Sequence, residues 1–546
     1  MFTRITKTGS RSYLQIVEAY RNDKGQVRQR VVANMGRLDQ LVPENLEALI
    51  NGLNRAIGRT KPEAFTPEYE SARAFGDVFL IHQLWHQLGF SKVIRRALKS
   101  SRRSFDAEAA VRAMVFNRLC APDSKLGCLE WLETVAIPDM PVLSHDHLLR
   151  AMDALIIHTE TVEALMASQI CPLLDQQLSV VFYDLTTVRI HGEKRIEGDL
   201  RAHGMNKETG GIARQFVLGV VQSAEGIPLM HTVHPGNISE TKTLESMIQQ
   251  VLKRFAIERV ILVADRGLLS LDNIEELTAL SSTLKQTLQF ILAVPARRYS
   301  ELAETFETLT FDENLAEARF AGHRLVIAHD PERGAEQSQR RRARIDAQVA
   351  FGENLVKKLD EQDEGLAEKG RRASDRGAFS RFNRSVADAE LTRFIKADYE
   401  ADRFTYDVDE AAIQKAERFD GKLALVTNVE DFPAKEIVER YKALADIERG
   451  FRVLKSDLEI APVHHRLPER IRAHALICFM ALVLYRIMRM RLKEHGSSYS
   501  PKAALDLLRR IQQHKASVGP KEFTGISRTT PEQLDLFAAL DIPAPK

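Results

Sequence analysis

Two short apolar segments of the sequence each end in an aspartate, and this pattern restricts the folds that the chain can adopt. Residues 180–183 are followed by Asp184, and residues 260–264 are followed by Asp265. A carboxylate at the end of a buried strand is costly to desolvate unless another group pairs with it. We therefore expect an α/β sheet that brings acidic side chains together at one site.

Each aspartate also has a simpler explanation when it is considered alone. Asp184 could cap the turn at Thr186 and Thr187, and Asp265 could cap the helix that follows it. The two acids, however, end two strands that the order of elements predicts to be neighbours. The joint pattern therefore favours a shared site over two separate caps.

The order of predicted elements after residue 178 is that of an RNase H-like fold. The segments, in chain order, are strands 179–190, 216–222 and 228–234, helix 242–255, strand 259–264, helix 271–280 and strand 289–294. In that fold the first and fourth strands lie side by side, so Asp184 and Asp265 would meet at one edge of the sheet.

A third acid, Glu448, lies in a predicted helix over residues 435–458. At about 100° per residue, Tyr441, Glu448 and Lys455 share one helix face. Arg452 shares it too, because it lies four residues after Glu448. A surface ion pair between Glu448 and Arg452 would explain this helix alone. With the two aspartates, Glu448 would instead complete a hard-oxygen site for Mg²⁺ or Mn²⁺.

One segment of the sequence concentrates positive charge and is a candidate nucleic-acid contact. The net charge is only +2, yet residues 92–103 contain six Lys or Arg side chains and no acidic residue. Such a run is either a solvated surface or a site for phosphates.

Other functional classes find little support in the sequence. The four cysteines form no CxxC pair and fit a reducing cytosol. The most apolar run, residues 475–485, is shorter than the roughly 20 residues that span a membrane, and it predicts a buried helix. No phosphate-binding loop or dinucleotide fingerprint indicates ATP or NAD.

The combined motifs resemble those of bacterial insertion-sequence transposases of the DDE class, over nearly the whole chain. The most specific segments are YDLTT at 183–187, HGMNK at 203–207, PGNISET at 235–241 and ADRG at 264–267. One branch has a helix signature of Tyr, two residues, Arg, three residues, Glu, six residues and Lys. This chain matches it at Tyr441, Glu448 and Lys455 but has Leu444 at the Arg position. Arg452 or Lys442 would have to replace that DNA contact.

The resemblance implies that Asp184, Asp265 and Glu448 are catalytic and hold two divalent metal ions, Mg²⁺ or Mn²⁺. Water would first cut the end of the element, and the freed 3′-hydroxyl would then attack target DNA without a covalent protein–DNA intermediate. The residues expected to contact DNA are Tyr441, Lys455, Arg452, Arg266, Lys92, Arg95, Arg96, Arg102 and Arg103.

The resemblance also implies the partners and their cellular setting. The partners would be double-stranded DNA with terminal inverted repeats and target DNA, bound by a homodimer in a synaptic complex. The protein would act in the bacterial cytosol, and no membrane partner is expected.

The expected architecture is α/β, with an RNase H-like mixed sheet, flanking helices and additional regions. These are a β-rich DNA-binding N-terminal region (1–60), a helical DNA-binding domain (61–175), two parts of the catalytic domain (176–300 and 411–495), an insertion domain (301–410) and a tail with a role in oligomerisation (496–546). Within them we predict an exposed helix at 340–363, a loop at 370–384 and a single tail helix at 503–514.

Two alternatives to an active transposase stay open from the sequence. The first is an RNase H-like nuclease that cuts without strand transfer, and the long N-terminal part argues against it. The second is an inactive or domesticated transposase that only binds DNA. Intact Asp184, Asp265 and Glu448 argue against that alternative.

Overall fold

A computed structural model describes most of the chain. The residues that it leaves undescribed are 42, 59–67, 100–103, 171–179, 193–197, 207–210, 224, 239–242, 244–246, 252–258, 265–286, 321, 366–372 and 519. Side chains are also undescribed at 43–45, 180, 181, 184, 259, 260, 264, 287, 297, 307 and 444–449. The chain forms two compact units, residues 1–72 with 514–525 and residues 73–513 with 526–546.

The first unit begins with a three-stranded antiparallel sheet. Its strands are β1 (Phe2–Thr8), β2 (Arg11–Arg21) and β3 (Val27–Arg37), paired in chain order. In the turn between β2 and β3, Asn22 Oδ1 accepts hydrogen bonds from the backbone N–H groups of Lys24 and Gln26, at 3.2 and 3.0 Å. Gly25 has φ +75°, which glycine adopts without strain. The predicted β-rich character of the N-terminal region is confirmed by this sheet.

A short helix and a second small sheet also occur among the first-unit residues. A 3₁₀ helix spans Leu38–Gln40, and helix α1 spans Pro43–Ala56. Strand β4 (Glu68–Ala74) pairs with the hairpin of β16 (Gln512–Val518) and β17 (Lys521–Ile526) in the order β17-β16-β4.

The second unit is built around a nine-stranded mixed sheet. Its strands are β5 (Val180–Arg189), β6 (Ala202–Met205), β7 (Ile212–Ser223), β8 (Pro228–Pro235), β9 (Arg259–Ala264), β10 (Thr287–Ala293), β11 (Leu315–Phe320), β12 (His323–His329) and β15 (Lys422–Thr427). The order is β11-β12-β15-β10-β9-β5-β7-β6, and β8 also pairs with β7. Strands β13 (Ile395–Glu400) and β14 (Arg403–Val408) form a separate hairpin.

The predicted RNase H-like arrangement is confirmed by the strand neighbours. The first predicted strand, β5, runs antiparallel to β7 and parallel to the fourth, β9. The parallel register pairs Phe182 with Val263. Both faces of β5 are buried, because Phe182 belongs to one apolar cluster whereas Tyr183 and Leu185 belong to another. Burial of both faces explains the nearly continuous apolar sequence of this strand.

Along the sequence, helices precede the strands of the main sheet, lie between some of them and follow them. Those before the sheet are α2 (Gly76–Gln87), α3 (Phe90–Ala97), α4 (Ala107–Cys120), α5 (Lys125–Thr134), α6 (His145–Ile157) and α7 (Thr159–Ile170). A 3₁₀ helix (Ala296–Leu302) precedes α8 (Ala303–Thr308), α9 (Pro331–Asp363), α10 (Asp375–Asp388) and α11 (Glu410–Glu417). The last helices are α12 (Ala434–Ser456), α13 (Pro468–Glu494), α14 (Pro501–Leu508) and α15 (Pro531–Ala539).

Side-chain caps fix where several of these helices begin. Asp106, Ser124 and Ser144 each accept a hydrogen bond from the backbone N–H three residues later, at the starts of α4, α5 and α6. Each cap satisfies one of the backbone donors that a helix start leaves unpaired, which is worth about 1 kcal/mol.

Helix α13 is the most apolar segment and lies inside the second unit. Among the described residues, it is the one helix long and apolar enough to cross a membrane, yet 94% of its most apolar window is buried. It packs against α4, α6 and β8. The prediction of a buried helix is therefore confirmed.

The prediction of a loop over residues 370–384 is wrong from residue 375 onward, because helix α10 lies there. Ser374 caps the helix through the N–H of Gly377. Ala378, Phe382 and Val386 recur every four residues and are buried in a cluster with residues of α9. That apolar stripe is the helical signal hidden in a charge-rich segment.

The prediction of a single helix in the tail is also wrong. Helix α14 ends at Leu508, and the β16–β17 hairpin and α15 follow it. Strands β11 and β12, from the predicted insertion, extend the main sheet, whereas β13 and β14 share a core with α9 and α10. The proposed domain boundaries within the second unit stay a prediction.

A glycine in the middle of β7 provides a test of the packing on β5. A Cβ added at Gly219 would meet Thr232 Oγ1 and would lie 2.7 Å from the hydroxyl oxygen of Tyr183. We expect Gly219→Ala to lower the free energy of unfolding by about 1–3 kcal/mol, because the packed sheet must shift. Gly211→Ala is the control, because no atom of the described residues lies within 4 Å of its added Cβ. Equal stabilities in denaturant unfolding would contradict the packing described.

Candidate nucleic-acid processing site

Asp184 lies within β5, near the centre of the nine-stranded sheet. Its backbone pairs with Val220 of β7. On the other side of β5, strand β9 ends at Ala264. The side chain of Asp184 is not described, and Asp265 lies outside the described residues. The structure thus brings together the two strands that carry or lead into these aspartates.

Helix α12, which contains Glu448, packs on the face of the sheet that includes Phe182. The shared apolar cluster comprises Phe182, Ile261, Val263, Ile291, Ala293, Val326, Leu425, Val429, Ile437 and Val438. Tyr441 and Ala443 are partly buried against it. The helix contacts both β5 and β9. Its apolar first half therefore holds it beside the two strands, while the side chain of Glu448 is not described.

The second half of α12 is fixed by different contacts. A Cβ added at Gly450 would lie 3.2 Å from Gln222 Nε2 and 3.3 Å from Arg486 Nη2. Arg486 donates a hydrogen bond to Gln222 Oε1 at 3.2 Å, and both side chains are buried. Phe451 and Leu454 belong to the large core on the other side. Glycine at position 450 therefore permits a close approach that a larger residue would strain.

The residues predicted to contact DNA on α12 differ in exposure. Arg452 is exposed, whereas Tyr441 and Lys455 are half-buried. Leu444, at the position of the signature arginine, has no described side chain. The helix thus presents at least one cation to solvent on the same face as Tyr441.

A surface groove of about 610 Å³ lies beside the start of α12, next to Phe182 of β5. It is lined by Phe182, Pro433, Lys435, Glu436, Glu439, Arg440 and Ala443. Arg440 donates hydrogen bonds of 2.9 and 2.7 Å to Glu436 Oε1. The groove is therefore polar along the helix and apolar at its base.

Two of the recognised motifs pack directly against each other. Gln215 of β7 donates hydrogen bonds from Nε2 to the carbonyl oxygens of Met205 and Gly236, at 3.1 and 3.2 Å. A Cβ added at Gly204 would meet the carbonyl oxygen of Gly236. Asn206 donates a 2.9 Å hydrogen bond to Gln215 Oε1. These glycines and amides therefore hold the two motifs together at the outer part of the sheet.

The basic residues predicted to contact DNA on α3 are described, whereas those that follow the helix are not. Lys92, Arg95 and Arg96 are exposed, and Arg95 Nη2 lies 3.7 Å from Asp106 and 3.5 Å from Glu108. Arg102, Arg103 and Arg266 lie outside the described residues. Arg95 is therefore partly neutralised by neighbouring acids.

The described side chains do not form a metal site. Within the part of the chain that the structure describes, no group of three or more His, Cys, Asp or Glu could hold a metal ion. Asp184, Asp265 and Glu448 are not among those side chains. Their predicted role in metal binding therefore rests on the placement of β5, β9 and α12.

A cleft of about 670 Å³, which the sequence did not predict, includes the buried cations Arg118 and Lys125. Ser124 provides a signal that could have been used, because serine before a helical segment is a common N-cap. The approach of residues 459–474 to this helix start could not be seen in the sequence.

Two family models match the sequence. One, described as IS1634 family transposase, N-terminal domain, matches residues 2–64. The other, described as Transposase DDE domain, matches residues 175–484, which is more than half of the chain. No curated protein matches the sequence.

The contact of α12 with the sheet can be tested at a buried position. Ile437 is fully buried in the cluster around Phe182. We expect Ile437→Ala to cost about 2–5 kcal/mol and to speed hydrogen exchange of the α12 amides. The control is Glu439→Ala, at an exposed position of the same helix, with an expected change within about 0.5 kcal/mol. Similar effects of the two changes would show that the cluster does not hold the helix.

Proposed function

The chain belongs to the transposases that carry a DDE domain, and we propose that it moves an insertion sequence by cutting and joining DNA. In this proposal it binds the terminal inverted repeats and catalyses metal-dependent strand cleavage and strand transfer. The main structural support is the seating of α12 across β5 and β9, on the face that holds Phe182.

The proposed catalytic residues are Asp184, Asp265 and Glu448. Alternate positions of a strand share a face, so position 184 belongs to the face of Phe182, where α12 packs. Position 448 follows Tyr441 by seven residues, or about two helical turns. Asp265 directly follows β9 in the sequence. The backbone placement and the spacing together support one site made by all three.

Three carboxylates are a suitable set of ligands for two Mg²⁺ or Mn²⁺ ions. When bound, such ions lower the pKa of a coordinated water and stabilise the leaving oxygen of a phosphodiester. The chain itself would bind the ions through these carboxylates and keep their supporting elements fixed. The apolar cluster of Phe182, Val263 and Ile437 would exclude water from the base of the site.

The cations and Tyr441 are proposed to bind and orient DNA rather than to take part in bond chemistry. Exposed Arg452 and half-buried Lys455 lie beyond position 448 on α12. Arg266 and the basic residues around α3 are further proposed contacts. Phosphate contacts fix the position of a duplex without reading its sequence.

End recognition is proposed for the N-terminal sheet and the helical region that follows it, to about residue 175. The match of residues 2–64 to a transposase N-terminal domain supports this assignment. Action as a homodimer in the bacterial cytosol, with no membrane partner, is part of the same proposal.

Two other functions stay open and differ in what they do to DNA. A nuclease would cut the element's ends without joining them to a target. A domesticated or inactive transposase would bind the ends with neither step. A joining assay on DNA that carries the inverted repeats flanking the gene separates these cases.

Substitution of a proposed catalytic carboxylate should impair DNA cleavage and joining but not DNA binding. We expect Asp184→Ala, Asp265→Ala or Glu448→Ala to lower cleavage and joining at least about 100-fold, because each removes a metal ligand. DNA binding should survive. The measurement is cleavage and strand transfer with Mg²⁺ or Mn²⁺, alongside binding by fluorescence anisotropy.

Glu439→Ala is the matched control for Glu448→Ala, because it removes an exposed carboxylate from the same helix. It should retain cleavage and joining. Loss of binding in all three carboxylate variants would point to structural roles. Wild-type cleavage without joining would favour the nuclease.

The contribution of α3 can be measured through salt dependence. We expect the double change Lys92→Ala and Arg96→Ala to weaken DNA binding and to reduce the slope of log affinity against log salt. The reduction should be about 0.9 for each phosphate that the variant no longer neutralises. Lys358→Ala, an exposed cation on α9, is the control. An unchanged slope would show that the α3 cations are only a solvated surface.

A further inference from the structure

The 670 Å³ cleft brings the starts of three helices together within the second unit. Its lining includes Ser124 and Lys125 at the start of α5, His145 at the start of α6, and Leu467 immediately before α13. Helix starts carry unpaired N–H groups and a partial positive charge, which favour anions. Helix starts alone do not define a binding site, however, so an anion site also requires suitable side chains in the cleft.

Two buried cations in the lining have no carboxylate partner among the described residues. Lys125 is 7% exposed, and the described groups that act on its pKa are Arg118, Cys478 and Cys128, none of them a carboxylate. Arg118 is 4% exposed and donates to the carbonyl oxygens of Leu458 and Glu459 at 3.4 and 3.0 Å. Its Nε has no hydrogen-bond partner within the described part of the chain. Burial of a cation without a counter-charge costs free energy, so a bound anion would stabilise Lys125 and Arg118.

The remaining charged groups of the lining do not supply that counter-charge. Asp123 and Glu459 are exposed, whereas Lys125 and Arg118 are buried. Exposed Arg466 adds a further cation. Arg470 is already paired with Asp153 outside the lining, through hydrogen bonds of 2.9 and 3.0 Å. The deep part of the cleft therefore keeps an excess of positive charge.

The electrostatics of Lys125 agree with an unsatisfied cation. Burial, and next the charge of Arg118 on α4, lower the pKa of Lys125 to about 8. The thiols of Cys128 on α5 and Cys478 on α13 act in the opposite direction. Burial also lowers the pKa of His465 to about 4, so this ring is neutral at pH 7. A bound anion would restore the protonated state of Lys125 at higher pH.

We propose that this cleft binds a phosphate group, which in the DNA complex belongs to the backbone of a bound strand. The ligand must offer several oxygen acceptors and negative charge to Lys125, Arg118 and nearby helix N–H groups, and a phosphate does so. The assignment of that phosphate to DNA rests on the proposed function; the charge of the cleft does not.

The path of β5 links the cleft to the proposed catalytic site. Ile190, directly after β5, bridges to Val463, which lines the cleft. The ring of His191 stacks on that of His464, with the two ring centroids 5.1 Å apart. Six residues separate position 184 from Ile190, or about 20 Å at about 3.3 Å per residue. A DNA strand that reaches both places would span about six nucleotides at about 3.4 Å each.

The test compares full-length wild type with Lys125→Met, which removes the charge at similar length. Lys502→Met, at an exposed position of α14, is the matched control. Fluorescence anisotropy with a labelled duplex from the flanking repeats is measured from 50 to 200 mM KCl. We expect Lys125→Met to weaken binding several-fold and to reduce the salt slope by about 0.9, and Lys502→Met to change neither.

Thermal unfolding with and without phosphate, and the pH dependence of DNA affinity, distinguish loss of a phosphate site from a folding defect. Inorganic phosphate should raise the thermal midpoint of wild type more than that of Lys125→Met. Without ligand, the thermal midpoint of Lys125→Met should be no lower than that of wild type, because the substitution removes a buried unpaired charge. Wild-type DNA affinity should fall between pH 7 and 9 as Lys125 loses its proton, and this fall should be smaller in the variant.

The outcomes are distinct. Loss of DNA affinity and salt slope supports a DNA phosphate in the cleft. Loss of the inorganic-phosphate response alone supports a phosphate site but overturns the DNA source. No difference in either measurement overturns the site. If wild type neither cuts nor joins DNA but the Lys125 effect persists, the proposed function fails and the cleft stands.

Discussion

The parallel pairing of β5 with β9 is the constraint on which the rest of the proposed site depends. Phe182, Ile261 and Val263 from these strands form the apolar floor for α12, whereas Tyr183 and Leu185 enter the opposite core. A slip of one residue would exchange the two faces and expose both sets. Burial of the neighbouring apolar side chains therefore fixes the register at position 184.

Helix α12 joins the two cores and is held at both of its halves. Ile437 and Val438 pack on the Phe182 side, while Phe451 and Leu454 are buried in the larger core. Between them, Gly450 allows close packing. A helix anchored in this way has little freedom to move relative to β5. Such rigidity suits a site whose ligands must be placed to within a fraction of an ångström.

The cations proposed to bind DNA differ in how deeply they are buried. The α3 cations are exposed and solvated, and Arg95 is partly neutralised by Asp106 and Glu108. The cleft cations Arg118 and Lys125 are instead buried, and the proposed DNA backbone would be their counter-charge. Exposed charges mainly set the rate and salt dependence of association, whereas buried ones contribute more strongly at defined positions.

The sequence by itself predicted the chain order of β5, β7, β8, β9 and β10, the helix containing Glu448 and the buried nature of α13, because each has a strong local pattern of apolar residues. It failed over residues 375–384, where charged residues concealed the stripe of Ala378 and Phe382. Only the tertiary structure decided which face of β5 receives α12, and only it brought Arg118 and Lys125 beside residues 459–474. Those contacts join segments hundreds of residues apart, and local periodicity carries no information about such distant partners.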